Sequence, residues 1–207
     1  MTRRIALLLL SLLLPALAFA QAAPAALVEG VHYEALQSPG TWDKVGKGEI
    51  EVAEVFSYNC HHCADMAPKL DAWKATLPKN VRVRYVAAPY DGDLARAFFA
   101  SEALNALPRT HLATFRALHD ERTLPRNPTI AELAAFYGTL GVDANKLSSA
   151  MQGKQVDARM EAARAFTTRI ELPGTPTMIV AGRWRVLGNS LDDLLANTAA
   201  LVKNPPR

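Results

Sequence analysis

Ile50-Glu51-Val52-Ala53-Glu54-Val55-Phe56-Ser57-Tyr58-Asn59-Cys60-His61-His62-Cys63 joins a nearly unbroken apolar run to the only two cysteines of the chain. Such continuity predicts a strand over 50–58 that is covered on both sides, with Val52, Phe56 and Tyr58 on one face and Ala53, Val55 and Ser57 on the other. Glu54 is its charged exception. A C-x-x-C placed between the end of a strand and the start of a helix brings two sulfurs within bonding reach. It also sets Cys60 where aligned peptide dipoles favour a thiolate, while Cys63 lies one turn in. The pattern points to redox chemistry. A static disulfide is the weaker reading, because so short a loop constrains little of the unfolded chain. Zinc is weak as well: His61 and His62 are expected to point to different sides, and no second C-x-x-C completes four ligands.

Downstream, Met66, Leu70, Trp73 and Leu77 recur at helical spacing, so one helix is expected from the cysteine pair to Leu77, bent rather than ended by Pro68. Residues 81–86 read as a strand parallel to the first, completing a β-α-β unit. After a turn at 89–92 the pattern is helical for about eighty residues: 93–107, 110–119, a segment opening on the capping box Thr129 and Glu132, 143–151, and 155–170 with Val156, Met160, Ala163 and Phe166 inward. Residues 93–152 are expected to form a helical insertion. Pro173-Gly174-Thr175-Pro176 ends the last of these helices. A strand at 177–181, a turn at Gly182 and a return strand at 184–187 follow, then a final helix capped by Ser190. Upstream, a short strand is expected at 31–36.

The first twenty residues read differently. Arg3 and Arg4 precede an apolar run broken by Pro15, and Ala18-Phe19-Ala20 supplies small residues before Gln21, as in a cleaved signal peptide. An uncleaved membrane anchor would need a longer span, about 20 apolar residues. Export directs the cysteines toward disulfide chemistry, since an oxidising compartment pairs lone thiols unless chemistry keeps them cycling. Without residues 1–20, 21 basic residues face 20 acidic ones. That balance makes no case for nucleic acid or an anionic membrane as partner.

Strand, helix, strand, helical insertion, helix, hairpin and helix is the element order of an α/β thioredoxin fold with an inserted helical subdomain. The chain resembles the DsbA family of thiol:disulfide oxidoreductases over essentially all of residues 21–207. The resemblance rests on Glu54-Val55-Phe56-Ser57-Tyr58 leading into Cys60-His61-His62-Cys63, Pro68 in the next helix, the insertion, and Gly174-Thr175-Pro176-Thr177 before a strand.

The resemblance implies a periplasmic oxidase that introduces disulfides into exported proteins through Cys60 and Cys63. It uses no cofactor beyond that pair, acts as a monomer on partners with free thiols, and is reoxidised by a DsbB-like membrane protein. It further implies that His62 stabilises the Cys60 thiolate, that Glu54 beneath the site moves the Cys63 proton, and that Thr175 pairs with an extended substrate beside a cis Pro176. Ordinary readings stand beside these: a solvent-reaching Glu54, and a strand-entry Pro176. Three positions depart from the family pattern. His61 stands where its best-known members carry proline, Ala67 where a second glutamate is common, and Thr175 where valine is frequent. His61 is either a second donor near the sulfur or an exposed residue of little effect. The alternative functions are a disulfide reductase or isomerase, and a metal-binding or chaperone module using His61 and His62. Trp42, Trp73 and Trp184 are expected to pack, and His32, His111 and His119 to be surface or satisfied structural residues.

Overall fold

The computed structural model describes residues 26–206, so the expected leader at 1–20 lies outside the described residues. A five-stranded mixed sheet is built from β1 (Tyr33–Ala35), β2 (Ile50–Phe56), β3 (Val81–Ala87), β4 (Thr177–Val180) and β5 (Trp184–Val186), in the order β1-β5-β4-β2-β3. β2 pairs parallel with β3 and antiparallel with β4, which makes it an interior strand. This explains its apolarity: every residue from Glu51 to Phe56 is buried.

Two apolar cores cover the two faces. In one, Val52, Met178 and Val180 meet Met66 and Leu70 of α1 (His61–Lys74) and Leu194 and Leu201 of α7 (Leu191–Lys203). The other gathers Ala53, Val55, Phe56 and Ile179 with the helices that lie between β3 and β4. Those helices are α2 (Asp93–Ala103), α3 (Leu107–His119), α4 (Ile130–Thr139), α5 (Ala144–Met151) and α6 (Lys154–Arg169). The Thr129–Glu132 capping box forms in full at the start of α4, satisfying helix-end donors in both directions. The four inward residues expected of α6 are all buried.

Several boundaries differ from expectation. The first helix stops at Lys74 instead of reaching Leu77, because Thr76 turns back onto the Trp73 carbonyl through both its N–H and its hydroxyl; Leu77 still packs on the core. The helical run expected over 93–107 breaks at Asn105, whose φ of +53° lies in the left-handed region, and α3 restarts at Leu107 with Pro108 in its first turn. Phe56 and Tyr58 do not share a core with Val52. At the end of β2 they turn into the insertion and meet Phe98 and Phe115 edge to face. Glu54 is also not the only buried acid of β2: Glu51 accepts the backbone N–H groups of Trp42 (2.7 Å) and Asp43 (2.9 Å).

Candidate active site

Cys60 is the N-cap of α1, in extended backbone conformation, so the open N–H groups of the first helical turn face its sulfur. It is partly exposed and Cys63 is fully buried; both are free thiols. The Cys60 thiol donates to the Thr175 carbonyl at 3.2 Å. Hydrogen bonding from the Cys63 thiol, helped by the Thr175 side chain and the backbone N–H groups of Cys63 and His62, lowers the Cys60 pKa to about 5 against the opposing effect of burial. The same shared proton, together with burial and the Glu54 charge, pushes Cys63 far upward. Two chemically identical groups one turn apart therefore differ in kind: one is a ready thiolate, the other holds its proton.

The cis peptide bond expected before Pro176 is present. Pro176 follows directly on the Thr175 carbonyl that lies at hydrogen-bonding distance from the sulfur. Glu54 is 1% exposed and lies between Tyr85 of β3 and Met178 of β4, so the solvent-reaching alternative does not hold. One of its carboxylate oxygens has no hydrogen-bond partner, and burial followed by the Cys60 charge raises its pKa to about 8. It carries a proton at neutral pH. Ala67 is buried in the apolar core, leaving Glu54 without a second acid at that position.

His61 and His62 are both exposed, and their rings lie 3.9 Å apart at 42°. The expectation that they point to different sides is thus corrected: in the first helical turn no preceding turn separates them. What His62 brings to Cys60 here is its backbone N–H. Among the described residues no group of three His, Cys, Asp or Glu side chains could hold a metal ion.

Further residues join the site that the sequence left unmarked. A short 3₁₀ turn, Pro89–Asp91, follows β3. Asp91 accepts from Ser57, Tyr58 and Asn59, while His119 bonds the Tyr58 carbonyl (2.8 Å) and Arg126 donates to the Asn59 carbonyl (3.1 Å). His111 is buried rather than superficial. It bonds the Tyr58 hydroxyl at 3.0 Å, packs against Phe56 and Tyr85, and is kept neutral by burial, with its pKa lowered to about 3. His32 accepts the Val28 N–H, as a satisfied structural histidine would. The tryptophans pack as expected; Trp42, for example, lies against Phe99, Phe166 and the Arg159 guanidinium.

A C-x-x-C with an acidified first sulfur at a helix N-terminus, facing a cis-proline loop across a thioredoxin-type sheet, defines a thiol:disulfide oxidoreductase. The thioredoxin family model Thioredoxin_4 matches residues 46–196. The thiol:disulfide interchange protein DsbA of Azotobacter vinelandii is 33% identical over 67% of this chain and 65% of its own length, and that of Burkholderia cepacia is 29% identical over 98% and 94%. The crystal structure of oxidoreductase DsbA from Xylella fastidiosa superposes with a TM-score of 0.82 at 36% identity, covering 86% of this chain and 96% of that one. The chain belongs to the DsbA family of thioredoxin-like thiol:disulfide oxidoreductases.

Proposed function

We propose that the chain is a monomeric periplasmic oxidase that puts disulfides into exported proteins, working without a cofactor and entering the periplasm by way of the leader at 1–20. A substrate thiolate attacks the Cys60 sulfur of the Cys60–Cys63 disulfide, forming a mixed disulfide and expelling Cys63 as thiolate. A second substrate thiolate then attacks the substrate sulfur of that bond. The product disulfide leaves, Cys60 departs as thiolate, and two electrons have passed from substrate to the pair. A DsbB-like membrane protein then accepts those two electrons and restores the Cys60–Cys63 disulfide.

Each residue has a part. The low Cys60 pKa makes it a good leaving group in the second step, and this observation carries the direction of the reaction. Protonated Glu54, buried beneath the pair, supplies the proton that the buried Cys63 thiolate demands. His62 contributes its backbone N–H, and its ring with that of His61 forms the exposed rim through which substrate approaches. Thr175 and Pro176 form the ledge for an extended substrate chain.

Equilibration with glutathione tests the direction. In general a DsbA sits near −120 mV and thioredoxin near −270 mV, a gap of roughly 7 kcal/mol for two electrons. The expected potential lies nearer the DsbA end of that range. A value close to that of thioredoxin would make the protein a reductase and overturn the proposal.

A further inference from the structure

Between the end of β2 and Cys60 run three residues that belong to neither strand nor helix, and their place is set from outside. One oxygen of Asp91 accepts the Ser57 hydroxyl (2.7 Å) and the Asn59 side-chain amide (3.3 Å); the other accepts the Tyr58 N–H (2.5 Å). The Ser57 hydroxyl in turn accepts the Asn59 N–H (3.1 Å), and the Ser57 carbonyl accepts the Cys60 N–H (3.2 Å). Asp91 is thus linked through one residue to the backbone of Cys60. Only a carboxylate has enough acceptor sites, with no donor of its own, to take three such bonds at once. Burial raises its pKa on balance, and these bonds work against that rise.

The neighbour on the same turn reaches the other side of the sulfur. Tyr90 is 64% exposed, and its hydroxyl donates to the Thr175 hydroxyl at 3.4 Å. The turn Pro89–Asp91 therefore touches both loops that meet at Cys60. We propose that Asp91 is a positioning residue: it holds loop 57–59 so that the Cys60 sulfur lies within reach of Thr175 and of the N–H groups that open α1. This rests on the reading of Cys60 as the sulfur that forms the mixed disulfide with substrate.

The two ways in which Asp91 could influence Cys60 have opposite signs. As a nearby negative charge it would raise the thiol pKa, so its removal would lower it. As a positioning residue it maintains the donor set, so its removal raises the pKa. In Asp91→Ala, the midpoint of the thiolate absorbance at 240 nm is expected to rise by about one pH unit or more. At pH 4, below both midpoints, a one-unit rise cuts the thiolate fraction about tenfold, and since nucleophilicity grows with pKa, exchange with glutathione disulfide should slow about threefold, while circular dichroism stays native. Asp91→Asn, which removes the charge but keeps one acceptor, should shift the midpoint upward by less. If Asp91→Ala does not fold, Ser57→Ala replaces it and must shift the midpoint in the same direction. A folded variant with an unchanged or lowered midpoint overturns the proposal. Cys60→Ser run in parallel separates the two readings: loss of exchange there with a normal Asp91→Ala defeats only the role of Asp91, whereas exchange surviving in Cys60→Ser defeats the active-site reading itself.

Discussion

Cys60→Ser is expected to lower the oxidation of a reduced model peptide to background, a loss of at least roughly 10³-fold, while leaving the fold intact. A serine hydroxyl at the N-cap suits the helix at least as well as a thiol does, so stability should not suffer. It forms no disulfide and does not leave as an anion at neutral pH. Cys63→Ser should behave differently. Serine keeps a hydroxyl donor beside Cys60, whose pKa owes its largest lowering to the Cys63 hydrogen bond, so the remaining thiol stays reactive. With no second sulfur to displace the partner, mixed disulfides on Cys60 should accumulate and be visible by mass spectrometry. Equal behaviour of the two variants would contradict the assignment of distinct roles.

The gap in melting temperature between the reduced and oxidised forms is expected to move by about 4–8 °C in favour of the reduced form between pH 5 and pH 8. In the folded reduced protein Cys60 loses its proton near 5, and in the unfolded chain near 9.0. Between those values the unfolded state binds the extra proton, so reduced-state stability climbs with pH by at most about 1.4 kcal/mol per unit. Solvent screening of a partly exposed sulfur cuts this to roughly 0.7 kcal/mol per unit, about 2 kcal/mol over the three units. The contribution is complete above 9 and disappears as the pH falls through 5. Glu54 titrates in the opposite sense: its pKa is raised to about 8, so its contribution is whole below 4.5 and is lost as the pH rises through 8. Because Glu54 sits on β2 in either redox state, that loss cancels from the gap, leaving only its repulsion of the Cys60 thiolate. Calorimetry of both forms at the two pH values checks the result, and a gap independent of pH would refute it.

What could be read in advance was whatever leaves a local mark. The apolar run of β2 has no place except the interior of a sheet, the single C-x-x-C falls where that run ends, and the stripe of Val156, Met160, Ala163 and Phe166 has helical spacing. The break at Pro173-Gly174-Thr175-Pro176 was marked by its own turn residues, while the part given to Thr175 and Pro176 came only with the family resemblance. The supports of the site left no such mark. Asp91 meets Ser57 across 34 positions and His111 meets Tyr58 across 53, contacts created by the return of β3 and the packing of α3, and neither has a periodic signature. Glu51 looked like any polar residue because its partners, the N–H groups of Trp42 and Asp43, belong to a loop without regular structure. Adjacent His61 and His62 were misplaced for a related reason. The rule that neighbours on a helix diverge holds where successive turns stack, and these residues begin the first one.

The account stands on the acidity of one sulfur. Absorbance at 240 nm of the reduced protein, followed against pH with Cys60→Ser as blank, reads the Cys60 thiolate directly. A midpoint near 5 is the predicted result, and a midpoint near the ordinary cysteine value of 9.0 would contradict it.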